Sequence, residues 1–150
     1  MGLRDRFTDA MKEAMKARQA QRLGTIRLIL AAVQERSIAA RVDALPEDEI
    51  LGLLGKMIKQ REESAATYES GGRPELAAGE RAEITVIREF MPRQLSTEET
   101  RDAVAAVIAE TGAASLKDMG KVMAALKERH AGSMDFGKAG ATVKELLAAK

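Results

Sequence analysis

The chain has no cysteine and no tryptophan, and among its 150 residues there are only one tyrosine, three phenylalanines, three prolines and one histidine. Each shortage removes something. Without cysteine there are no disulfides, no thiol nucleophile and no thiolate metal site, which suits a reducing compartment. Aromatics make up 3% of residues, and alternating runs rich in Val, Ile and Thr are missing, so little is available to build a sheet. No charge of one sign dominates. With 24 basic and 23 acidic residues the formal net charge is +1, and no global field draws the chain toward nucleic acid or membrane. The region up to Met91 holds 15 basic and 15 acidic residues, and the rest holds 9 and 8. Any polyanion site must then be a local patch of salt-sensitive affinity. No apolar run is long enough to span a bilayer. The opening MGLRDRFTDAMKEAMKAR reads as an amphipathic helix with acidic residues mixed in, rather than a secretory leader. The expectation is a cytoplasmic protein with no membrane partner.

What remains is a composition of Ala, Leu, Met, Glu, Lys, Arg and Gln, the good helix formers, so the fold class is all-α. The longest element is a hairpin over Glu47–Pro92. Ile50, Leu53, Leu54, Met57, Ile58, Arg61, Ala65 and Tyr68 recur at helical spacing on its first arm, and Leu76, Glu80, Ile84, Ile87 and Met91 on its second. Gly71-Gly72-Arg73-Pro74 breaks the helix between them. The first arm, of about 24 residues, should be roughly 36 Å long. Two helices precede the hairpin, near Leu3–Arg18 and Leu23–Ser37. Arg27 lies within the broad apolar sector of the second, and a buried-edge arginine needs a carboxylate, which a glutamate of the hairpin would supply. Pro46 ahead of Glu47, Asp48 and Glu49 marks a helix start at the proline.

Pro92 disfavours helix at Met91, and Ser96 with Glu99 forms a capping box. The expected division is therefore an N-terminal domain of about four helices, 1–92, and a three-helix bundle, 93–150. The bundle's helices start near Thr97, near Ser115 with Asp118 as its capping partner, and after Gly137; Gly112 ends the first.

Chemistry is harder to find. His130 has neither a nucleophile nor a second histidine beside it. The carboxylate pairs Glu62-Glu63 and Glu98-Glu99 sit on helix surfaces or starts, where electrostatics accounts for them. Gly71-Gly72 lacks the spacing of a phosphate loop. No catalytic residue, metal ligand or cofactor is assigned. The remaining candidate is a basic surface in the second half: Lys117 and Lys121, one turn apart near a helix start where backbone N–H groups attract phosphate, with Lys138 and Lys144 on the neighbouring helix. Gly120 in that helix costs about 1 kcal/mol relative to alanine, which suggests close approach by another helix or a partner. No aromatic residues interleave these lysines, so base stacking is not part of the reading.

Several stretches carry a likeness together. KMIKQREESAATYESGGRPELAAGERAEITVIREFMPRQLS, GAASLKDMGKVMAAL and GSMDFGKAGATVKELL, preceded by IRLILAAVQE, closely resemble the GatB/YqeY family in order and spacing over nearly the whole chain. The resemblance implies an N-terminal helical domain followed by a C-terminal three-helix bundle. In that family the unit also occurs as the C-terminal tail of the B subunit of the glutamine-dependent aspartyl/glutamyl-tRNA amidotransferase. There it is associated with the outer part of the tRNA, while the kinase domain and the glutamine-hydrolysing subunit are separate. Stand-alone members carry the label of carbon–nitrogen ligase with glutamine as amido donor, a reaction for which this sequence supplies no residues. The expectation is a tRNA-binding or amidotransferase-associated helical module whose partners are tRNA, amidotransferase subunits or other proteins. The competing expectation is a protein–protein adaptor that uses the long hairpin.

Overall fold

A computed structural model describes residues 2–150. Every regular element among them is helical. The elements are α1 (Leu3–Lys16), α2 (Ala20–Ala40), α3 (Glu47–Ser70), α4 (Pro74–Arg88), α5 (Thr97–Thr111), a 3₁₀ turn (Leu116–Asp118), α6 (Met119–His130) and α7 (Phe136–Ala148). The chain forms two compact units, residues 1–91 and 92–150.

In the first unit α3 and α4 pack along each other, and α2 lies against both and against α1. Phe7, Ile26, Ile29, Leu54 and Ile87 are fully enclosed at the centre, each contributing about 1.5–3 kcal/mol by leaving water. The hairpin turns where Gly72 takes a left-handed φ of 73°. There the Arg73 N–H reaches back to the Tyr68 carbonyl at 2.8 Å, the closure expected of a glycine-terminated helix. Three ion pairs tie the arms: Arg61–Glu83, Arg81–Glu69 and Arg88–Glu62. Only the first is shielded, with side chains 15% and 30% exposed, and Arg61 also donates to the Met57 carbonyl. Leu76, expected on the inner stripe of α4, is exposed, and Ala77 one position on is buried.

The helix ends depart from the sequence reading where the ending residue carries no usual signal. α1 stops at Lys16 because Arg18 adopts φ 55°, with Gln19 N–H bonded to Ala14 O and Arg18 N–H to Met15 O. α2 runs from Ala20 to Ala40, three residues beyond the expected span at each end, and closes the same way with Arg41 at φ 56°. Both ends have the pattern usually built on glycine. Pro46 stands just ahead of α3 rather than in its first turn. Past Arg88, Glu89, Phe90 and Met91 tighten into three-residue hydrogen bonds. This swings Phe90 inward onto the edge of Phe7, with ring centroids 4.9 Å apart at 74°, and Arg6 covers the outer face of Phe90 at 5.7 Å.

The carboxylate expected beside Arg27 is absent. Arg27 is exposed and joins no ion pair among the described residues. The contact between α2 and the hairpin falls instead to Arg22, which pairs with Glu89. α2 is apolar on more sides than it buries, so a place within its apolar sector does not put Arg27 inside.

In the second unit α5, α6 and α7 enclose Val104, Val107, Val122, Leu126, Ala139 and Val143. Ser96 accepts from the Glu99 N–H while Glu99 accepts from the Ser96 N–H, both at 3.0 Å, and Gly112 ends α5 with a left-handed φ of 68°. The entry segment is stitched to the α6–α7 loop by Gln94 Nε2 donating to Gly132 O and by Leu95 N–H donating to Ser133 O. No helix among the described residues is long and apolar enough to cross a membrane.

Candidate nucleic-acid interface

The surface of the second unit is set by how its charges are used. Its three arginines are all engaged: Arg93 forks onto Glu99 at 2.9 and 2.7 Å, Arg101 meets Glu145, and Arg129 meets Glu110. Its six lysines, Lys117, Lys121, Lys127, Lys138, Lys144 and Lys150, are all exposed, and none enters an ion pair among the described residues. Geometry accounts for the division. A planar guanidinium binds a carboxylate through two parallel bonds, whereas an ammonium is a compact, strongly hydrated charge that gains less from a fixed partner.

The four lysines singled out from the sequence are exposed but do not form one face. Lys117 belongs to the 3₁₀ turn and Lys121 to the first turn of α6. On α7, Lys138 and Lys144 are six residues apart, which places them about 120° apart around the axis. A methyl group built on Gly140 would meet Met119 Cε at 3.8 Å and Met123 Cε at 3.9 Å, so this side of α7 faces α6. Lys144, one turn past Gly140, lies toward α6, and Lys138 lies away from it. Lys121, two residues from each of those methionines, stands on the opposite side of α6 from α7.

The close approach expected at Gly120 is therefore found at Gly140. A methyl built on Gly120 would meet nothing within 4 Å, and the residue is exposed. Both glycines sit at helical positions, and only the partner helix decides which one is packed.

The start of α6 also differs from the expected open anion site. Asp118 accepts from the Ala114 N–H at 2.8 Å and the Ser115 N–H at 3.3 Å. Those two bonds, with the Lys121 charge adding to them, hold the Asp118 carboxyl below its usual range. Asp118 thus takes the N–H groups just ahead of the 3₁₀ turn, and Lys117 and Lys121 stand beside a carboxylate. At α7 Asp135 caps the helix itself, accepting from the Gly137 and Lys138 N–H groups. At α5, Glu99 is held down to about 2, first by Arg93 and then by the Ser96 N–H.

Elsewhere the candidates thin out. His130 ends α6, and its carbonyl accepts from both the N–H and the hydroxyl of Ser133. No group of three His, Cys, Asp or Glu side chains positioned to hold a metal ion occurs among the described residues. Several arginines near the N-terminus are occupied by their own chain: Arg4 donates to Asp43 O, Arg6 to Glu89 O, and Arg22 pairs with Glu89. An open groove of about 630 Å³ runs past that last pair, between the start of α2 and the end of α4, lined by Gln19, Arg22, Thr85 and Glu89 among others.

A buttressed helical hairpin in one unit, and in the other a three-helix bundle with paired arginines and free lysines, define a two-unit all-α module. The chain belongs to the family described as Yqey-like protein, whose model matches residues 4–147. Among curated proteins it is similar to three yeast proteins named altered inheritance of mitochondria protein 41, mitochondrial. Identity is 30% over 81 residues with that of Vanderwaltozyma polyspora, 34% over 83 residues with that of Meyerozyma guilliermondii and 28% over 81 residues with that of Saccharomyces cerevisiae. Each match covers 54% of this chain and between 42% and 44% of the relative, so less than half of the relatives' length is spanned.

Proposed function

We propose that the protein is a tRNA-binding helical module that works beside a glutamine-dependent amidotransferase, contacting the nucleic acid through the lysine surface of residues 92–150. One observation carries the reading. In that unit every arginine is neutralised by a glutamate, and all six lysines are free and exposed. Free lysines around a rigid bundle suit the phosphate backbone, which needs positive charge at roughly the right spacing rather than exact donor geometry. The family likeness supplies the class of polyanion, since the related tail of the amidotransferase B subunit is associated with tRNA. The carbon–nitrogen ligase label then describes the larger assembly, and this chain contributes binding to it.

A nearly neutral chain binds such a ligand locally and weakly. Filter binding of unfractionated tRNA across a salt series should give a linear fall of log affinity with log salt. The double variant Lys117→Ala/Lys121→Ala should bind more weakly and reduce the slope by about 2, one for each lost phosphate contact. Unchanged affinity and slope would overturn the site, and no retention of tRNA by the unaltered protein at low salt would overturn the function.

A further inference from the structure

The helix α2 carries apolar residues on more sides than it buries, which ordinarily marks a helix packed on more than one side. Its inner side buries Thr25, Ile26, Ile29, Val33 and Ser37. On the outer side Ala31 is exposed, and so are its neighbours at three, four and seven residues in both directions: Leu28 and Gln34, Arg27 and Glu35, Gly24 and Ile38. Leu28 is 46% exposed and Ile38 is 69% exposed. This is the set that a helix presents when another helix crosses it at Ala31.

We propose that the occupant is α2 of a second copy of this chain, running antiparallel, with a two-fold axis through Ala31. Such an interface requires that residues equally distant from Ala31 on opposite sides complement each other, because the axis brings them face to face. They do. Arg27 meets Glu35, and in the single chain neither makes an ion pair or a side-chain hydrogen bond. Ile38 meets Gly24, where a methyl group would touch nothing within 4 Å, so the most exposed apolar side chain of the patch lies over its smallest residue. Leu28 lies along the aliphatic stem of Gln34. Ala31 at the axis allows the helices to approach to about 8 Å.

A parallel arrangement would set Arg27 against Arg27 and Glu35 against Glu35, which is repulsive. A strongly acidic or basic partner helix would meet a like charge at one of the two positions. The face is complementary to itself. One helix face covers less than the roughly 800 Å² per partner of a standard interface, which is the size of weak, transient associations.

The charges make the test stringent. Sedimentation equilibrium of the full chain, from about 1 µM to about 500 µM to span micromolar affinities, should show the mass rising from 16.2 kDa toward its double. R27E and E35R should each weaken association by about tenfold or more, because each sets like charges against each other across the axis. An equal mixture of the two should recover it: one chain then carries carboxylates at both positions and the other guanidiniums, so both contacts re-form in the mixed dimer. Both positions are exposed, and a melting curve checks that each variant folds. A monomer at the highest concentration, single variants that associate as strongly as the unaltered chain, or a mixture no stronger than its components would each overturn the proposal. The tRNA reading rests on residues 92–150, so either can fail without the other.

Discussion

At the residue scale, the clearest electrostatic device is Glu99. Its carboxyl is lowered from 4.5 to about 2, chiefly by the two-pronged Arg93 contact and next by the Ser96 N–H. A carboxylate whose pKa is depressed by folding stabilises the folded state above its unfolded pKa and loses that contribution as pH falls through the folded value. The relevant window is thus from 4.5 down to about 2. Glutamine preserves the capping bond but not the charge. Glu99→Gln should therefore melt slightly below the unaltered protein at pH 7, and the gap should close by pH 2; thermal melts followed by circular dichroism at several pH values check this. The effect is small because the pair is solvent-exposed. The other single-residue features run against simple reading. Arg18 and Arg41 sit in the left-handed region, which costs a non-glycine residue roughly 1–2 kcal/mol. Nothing in the type of either residue announces it.

At the element scale, the hairpin's three ion pairs are unequal. Arg61 is mostly enclosed and holds both Glu83 and the Met57 carbonyl, whereas the Arg81 and Arg88 pairs are about half exposed on each side. Arg61→Ala leaves Glu83 partly desolvated without its partner and should cost about 2 kcal/mol. Arg88→Ala should cost at most about 0.5 kcal/mol. Urea titrations of the two variants compare them directly, and equal losses would mean that enclosure does not set the strength of these pairs. Much of this architecture could be read from the residues alone. The Gly-Gly-Arg-Pro turn, the Ser96–Glu99 box and the terminal Gly112 state their roles through backbone conformation, and the structure holds each where the sequence puts it. What escaped depends on partners distant in the chain. Phe90 looks like part of an exit segment until Phe7 is known to lie beneath it. Gly120 and Gly140 look alike until one of them meets α6. The lysines could be picked out by spacing, but the division between engaged arginines and free lysines needed the tertiary contacts.

At the scale of the whole molecule, the two cores share no residue: one gathers side chains of α1 to α4 with Leu45 and Phe90, and the other those of α5 to α7 with Ala113 and Met134. Leu126 is fully enclosed in the second. Leu126→Ala should cost about 2–5 kcal/mol there, and a unit of this size has little stability to spare. Hydrogen exchange should show protection lost across 92–150 and kept across α1–α4; loss spread evenly over both would mean that they unfold together. The chain contains ten lysines and fourteen arginines, and all seven ion pairs among the described residues are made by arginine. The two cations are therefore separable by reagent. An amine-directed acylating agent would strip the unpaired positive charge while leaving every ion pair intact, whereas a dicarbonyl that modifies guanidinium groups would break those pairs. Chemical labelling can thus remove the free charges of the molecule without disturbing the paired ones.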